Sequence, residues 1–100
     1  MILYEVTLGV EPSLESRVED YMRSRHIPAI WATGCFRDIH FYRAASGTFR
    51  TAYAADTEAE LERYLRDHAP TMRAEFLAEF PTGAALTREV WRERQRWGEG

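Results

Sequence analysis

One hundred residues, 45% hydrophobic and 29% charged, fit one globular domain and are too few for two. A formal net charge of −3 disfavours a nucleic-acid partner, and the thirteen basic residues are all arginine, which excludes lysine Schiff-base chemistry and a phosphate-loop lysine. The single cysteine, Cys35, has no partner for an intramolecular disulfide and fits a reducing compartment. Residues 2–10 alternate, with Ile2, Tyr4, Val6, Leu8 and Val10 on one face and Leu3, Glu5, Thr7 and Gly9 on the other, the period of a strand. No charged leader or long apolar run accompanies it, so the chain is expected in the cytoplasm, with no membrane partner. Pro12 and Ser13 open a helix in which Leu14, Val18, Tyr21 and Met22 share a face, and Glu19 can pair with Arg23 one turn on. Pro28 disfavours helix at Ile27, so a separate short turn from Pro28 to Ala32 is expected, ending at Gly34.

Residues 35–45 read as a strand with Cys35, Ile39 and Phe41 on one face and Phe36, His40 and Tyr42 on the other. Ser46-Gly47 turns the chain into a returning strand, 48–55, with Phe49, Thr51 and Tyr53 on one face. Thr57 and Glu60 make a capping box before a helix whose face carries Leu61, Tyr64, Leu65 and His68, with Glu62 and Arg66 placed to pair. Pro70 starts a further helix bearing Met72, Phe76, Leu77 and Phe80, and Pro81-Thr82-Gly83 breaks it. A fourth strand, 84–92, sets Leu86 and Val90 on one face and Trp91 on the other. The domain is thus 1–92. Residues 93–100 are a charged tail with Trp97, expected to fray or to reach a neighbour.

One phrase occurs twice. Tyr21-Met-Arg-Ser-Arg-His-Ile-Pro28 is echoed by Tyr64-Leu-Arg-Asp-His-Ala-Pro70, each between strand-like segments. Such an echo marks two copies of one strand–helix–strand unit. The order β-α-β-β-α-β, with a short extra helix after each main helix, is the α+β ferredoxin-like fold with a four-stranded antiparallel sheet. Right-handed crossovers put both helices on one face of it. The second strand reads as apolar on both faces, and aromatic residues reach 13%. The bare face therefore calls for a cover, most simply a second copy, giving a homodimeric α/β barrel.

The segments His26-Ile27-Pro28, Ala32-Thr33-Gly34-Cys35-Phe36 and His68-Ala69-Pro70 with Arg73 resemble an uncharacterised bacterial family. That family is a domain of unknown function in the dimeric α/β-barrel superfamily, and the resemblance runs from about Ile2 to Trp91. It implies the ferredoxin-like fold and a dimer paired through the sheet. Proteins of the superfamily include cofactor-independent monooxygenases of quinol-like substrates, muconolactone isomerases, haem-degrading enzymes and barrels of no known activity. Their ligands sit between sheet and helices, or between the paired sheets. No catalytic motif common to them occurs here, so the resemblance leaves the activity open.

The candidate ligand-binding residues are His26, Trp31, His40, Tyr42, Tyr53 and His68. A histidine titrates near neutral pH and serves as a base or a ligand contact, yet at a helix end it also caps the last carbonyls. The doubled placement of His26 and His68 favours capping, with His26 the better functional candidate because it precedes the Trp31 segment. His40 shares a strand face with Tyr42 and Asp38, able to bind a phenolic or quinone-like ligand or to form an ordinary cross-strand polar pair. Trp31 in a short turn suits a lid, an interface anchor or core packing. Cys35 lacks an evident base and reads as a buried, inert thiol. No His or Cys spacing fits a metal, no glycine motif fits a nucleotide, and no cofactor is expected. Two functions follow. One is a dimeric barrel binding a small apolar or aromatic molecule. The other is a cofactor-independent monooxygenase or isomerase acting on a phenol, quinone or lactone through His26, His40 and Tyr53.

Overall fold

The protein is described over residues 1–98 by a computed structural model. Strands β1 (Ile2–Val10), β2 (Asp38–Arg43), β3 (Phe49–Ala55) and β4 (Ala84–Arg92) form one antiparallel sheet in the order β2-β3-β1-β4. Helices α1 (Glu15–Tyr21) and α2 (Ile27–Trp31) connect β1 to β2, and α3 (Glu58–Asp67) and α4 (Ala69–Glu79) connect β3 to β4. This is the ferredoxin-like α+β architecture expected from the element order.

Register decides which side chains meet. Tyr4 lies opposite Tyr53 on β3 and Val90 on β4, and Leu8 lies opposite Phe49 and Leu86. Because side chains alternate along a strand, this pairing gathers the large apolar residues onto the helix-facing side. One buried cluster joins Tyr4, Tyr53 and Ile2 to Phe36, Ile30, Leu61 and Tyr64. A second joins Leu8 and Phe49 to Val18, Met22, Phe76 and Phe80. The helices therefore cover one face, as the right-handed crossovers require.

Three sequence expectations need correction. Pro28 does not break the first helical segment. A π turn over Met22–His26 carries α1 into α2, with the Ile27 N–H donating to the Met22 carbonyl. A regular α-helix would press the Pro28 ring against the Ser24 carbonyl, and the wider turn relieves that contact. At the second His-x-Pro the chain does break, since His68 leaves helical geometry (φ −124°) between α3 and α4. Second, β2 starts only at Asp38, so Cys35 and Phe36 are not on opposite faces but both buried on the helix side. The bare face of β2 is then Asp38, His40 and Tyr42, which is polar rather than apolar. Third, Arg66 pairs with Asp67 at 2.8 Å and not with Glu62. The expected Glu19–Arg23 pair does form, at 3.6 Å.

Of the expected capping box the Thr57 half forms, its side chain accepting the Glu60 N–H at 3.2 Å, while the Glu60 carboxylate accepts from Arg63 at 2.9 Å. Past β4, the Glu93 N–H reaches the Met1 carbonyl at 3.2 Å, and the chain to Gly98 has no regular structure. Trp97 in this tail is 80% exposed, and the end of the tail, residues 99–100, lies outside the described residues. Among the described residues no helix is long and apolar enough to cross a membrane.

Candidate functional site

Between the helix layer and the sheet lies a cavity of about 170 Å³. Its floor is the inner face of the sheet: Tyr4, Val6 and Leu8 from β1, Tyr53 from β3, and Ala84, Leu86 and Arg88 from β4. Its walls come from Met22 and His26 in the π turn, Ile30 in α2, Tyr64 in α3, and Met72, Arg73, Phe76 and Leu77 in α4. The break at His68 separates α4 from α3, and α4 supplies four of these wall residues. The lining is mostly apolar with a few convergent polar groups, the usual make-up of a small-molecule site.

Three tyrosines crowd one end. The Tyr4 ring lies 5.8 Å from that of Tyr53 and 6.1 Å from that of Tyr64, and Phe36 packs against the latter two at 5.3 and 5.0 Å. Burial, then the neighbouring tyrosines Tyr64 and Tyr4, raises the Tyr53 phenol above its ordinary range. Burial also raises Tyr64. Both rings present protonated hydroxyls at neutral pH and act as hydrogen-bonding groups, not bases. Arg73 reaches inward from α4, and its Nη2 donates to the Tyr4 hydroxyl at 3.2 Å.

His26 stands on the opposite wall. Its ring lies 5.7 Å from Phe76 and 6.0 Å from Tyr21. Burial lowers its pKa from 6.5 to about 4, so the imidazole is neutral at pH 7. Among the described residues neither His26 nor His68 makes a side-chain hydrogen bond, so the capping role is not what these side chains perform. His26 sits inside a continuous helical run, where there is no end to cap. At His68 it is the backbone N–H, on the Tyr64 carbonyl at 2.9 Å, that closes α3. The His68 ring stacks on Tyr64 at 6.3 Å, behind the cavity wall.

The remaining candidates lie elsewhere. Trp31 follows Ile30 by one residue, a rotation of about 100° on a helix. Ile30 points into the cavity, and Trp31 borders a shallow outer groove with Ile27, Pro28, Ile39 and Phe41. His40 and Tyr42 stack at 6.2 Å on the sheet face away from the helices, and His40 lies 3.5 Å from Asp38. The structure therefore brings His26 and Tyr53 to one cavity and leaves Trp31, His40, Tyr42 and His68 outside its lining. Among the described residues no group of three His, Cys, Asp or Glu side chains is placed to hold a metal.

Sequence reasoning missed Tyr4, Tyr64 and Arg88 as cavity groups, and took Arg73 only as part of a resemblance. One signal was available. Arg88 falls on the same strand face as Leu86 and Val90, a charge interrupting an apolar stripe.

The sequence matches the model of the Domain of unknown function (DUF4286) family over residues 1–93, and the chain belongs to that family. No curated protein matches it. Solved structures share its fold. A Deinococcus radiodurans protein grouped with the antibiotic biosynthesis monooxygenases aligns over 99% of this chain and 98% of its own, at 13% identity and a TM-score of 0.68. A Nitrosomonas europaea protein of unknown function aligns over 98% and 95%, at 16% identity and a TM-score of 0.67. The Mycobacterium tuberculosis protein Rv0793 aligns over 98% and 100%, at 15% identity and a TM-score of 0.66. At these identities the likeness is one of fold.

Proposed function

We propose that this member of the family is a cytoplasmic homodimer that binds a small apolar or aromatic molecule between its helices and its sheet. The observation that carries the reading is the cavity of about 170 Å³, roomy, mostly apolar and ringed by Tyr4, Tyr53, Tyr64 and Phe76. A well-packed core of this size leaves few voids larger than a water, and a dry apolar cavity of about 150 Å³ accepts benzene. The space thus suits one aromatic ring with a short substituent. The dimer rests on the bare sheet face, where Leu3 and an exposed Trp91 lie among Glu5, Arg50 and Glu89.

The test is calorimetric titration with benzyl alcohol against the wild type and Leu77→Trp. Leu77 lines the cavity yet is 61% exposed, so a larger ring at its mouth can block entry without disturbing the core. Saturable binding by the wild type, lost in the variant, supports the reading. No binding by the wild type, or equal binding by both, defeats it.

A second reading is a cofactor-independent enzyme acting on a phenol, quinone or lactone. It draws on His26, neutral at pH 7 and on the cavity wall, able to accept a hydrogen bond from a bound phenol and orient it. Turnover of a bound phenol that survives in the wild type but vanishes in His26→Gln, with binding retained, would favour it.

A further inference from the structure

The cavity has a charge pattern that its apolar lining alone does not require. Two arginines border it, Arg73 from α4 and Arg88 from β4, and among the described residues no carboxylate does. Among the described residues neither arginine is in an ion pair, although nine of the other arginines are. The contrast is sharp in a chain of net charge −3 whose acidic groups are used freely elsewhere: Arg43, for example, is held by both Glu15 and Glu19. Both arginines act on one spot, since each lowers the energy of a negative charge at the Tyr64 phenol.

Their placement follows from the fold. Arg88 lies opposite Val6 in the β1–β4 ladder, beside the Tyr4–Val90 pair, so its stem rises from the cavity floor. Arg73 comes from the facing helix and is steadied by its bond to the Tyr4 hydroxyl. That bond uses one of five guanidinium donors and neutralises no charge. The remaining donors at this mouth are unspent. A planar guanidinium offers a fork that fits a carboxylate in two parallel hydrogen bonds. Apolar space below and unneutralised guanidinium groups above describe the two halves of one ligand.

We propose that the cavity selects an amphipathic anion, a single-ring aromatic carboxylate whose ring lies among Tyr4, Tyr53 and Phe76 and whose carboxylate bridges Arg73 and Arg88. The inference rests on the cavity being a binding site and adds what that site recognises. Size and charge act together. About 170 Å³ admits one ring and a short substituent, and leaves the charged end at the rim where both guanidinium groups stay partly hydrated. A neutral analogue gains the ring contacts and forfeits the charge-assisted bonds.

The experiment is calorimetric titration of the full chain with sodium benzoate and with benzamide, a neutral molecule of nearly the same shape, at pH 7.5 and fixed ionic strength. Wild type, Arg88→Gln and Arg73→Gln are compared, with circular dichroism as the check on folding. The expected result is benzoate bound about tenfold or more tighter than benzamide, with about a tenfold loss for benzoate in each variant and little change for benzamide. Arg88→Gln leaves the Tyr4 hydrogen bond untouched, so it remains decisive if Arg73→Gln proves unstable. Equal affinity for benzoate and benzamide would overturn the anion and leave the cavity reading standing. Binding of neither compound would overturn both. A benzoate preference that persists in both variants would overturn the assignment to these two arginines.

Discussion

His26 is the residue at which burial and charge conflict most directly. Its ring is walled by Phe76 and Tyr21, and the protonated form is disfavoured there until the pH falls to about 4. In the unfolded chain an imidazole takes up its proton near pH 6.5. Between those values the unfolded state binds more protons, so stability is fully present above pH 6.5 and declines as the pH falls towards 4. The span corresponds to roughly 3 kcal/mol at most. His26→Phe keeps a ring against Phe76 and removes the titration. Urea unfolding at pH 7.5, 6.0 and 4.5 should show a steep acid loss in the wild type and a flatter one in the variant. Parallel losses would mean that other groups carry the acid sensitivity. Helical spacing places His26 correctly on a helix, but the sequence could not place its ring. The capping reading assumed that Pro28 ends the helix one residue later, and the π turn removes that end. Arg73 and Arg88 were hidden for a related reason. An arginine in sequence reads as a wet-face residue, and the one signal against that reading, its place in the apolar stripe of Leu86 and Val90, is borne out by the register of β4 with β1.

At the scale of elements, short-range signals are carried faithfully where one local interaction decides the outcome. Thr57 is such a case, because its oxygen satisfies an orphan N–H of the first turn of α3. That helix carries Leu61 and Tyr64 into the core and stands Tyr64 at the cavity wall. Thr57→Ala should destabilise the protein by about 1 kcal/mol, measured as a lower urea midpoint at unchanged slope. A variant as stable as the wild type would show that the packing of Leu61 and Tyr64 alone holds the turn. Strand β4 and the hairpin of β2 and β3 were legible for the same local reason, alternation bounded by turn residues. The two His-x-Pro joints were not. Their wording is nearly the same, yet one is bridged by a π turn and the other is a break between two helices. The first copy has one residue more between its tyrosine and its histidine, and the π turn over Met22–His26 is where that extra residue is taken up. The edge of β2 was missed likewise: Cys35 and Phe36 leave the alternation because both are drawn under the helices.

For the whole molecule, the covered and bare faces of the sheet divide the work. The helix side holds the core and the cavity, and the bare side is the face on which the proposed dimer rests. Strands spaced about 4.8 Å apart and rising about 3.4 Å per residue give this four-stranded sheet a face of roughly 500 Å². Two such faces in contact hide about 1,000 Å², which is near the lower bound for a specific interface. The face is mixed in character, contrary to the apolar reading of β2, since Asp38, His40 and Tyr42 line one edge. Its apolar content lies on the other side, where Trp91 is 53% exposed beside Leu3 on β1. A tryptophan so placed is the natural anchor of a contact between copies. Trp91→Glu would add a carboxylate to the face that already carries Glu89 and Glu5, so that pairing two copies through it would crowd like charges, while leaving the helix-side core untouched. Native mass spectrometry of the wild type should therefore show a dimer, and Trp91→Glu should give a folded monomer. Because the cavity lies on the opposite side of the sheet, the monomeric variant should still bind benzyl alcohol. A monomeric wild type would remove the sheet-paired dimer from the proposed function, and a dimeric Trp91→Glu would move the contact to another surface.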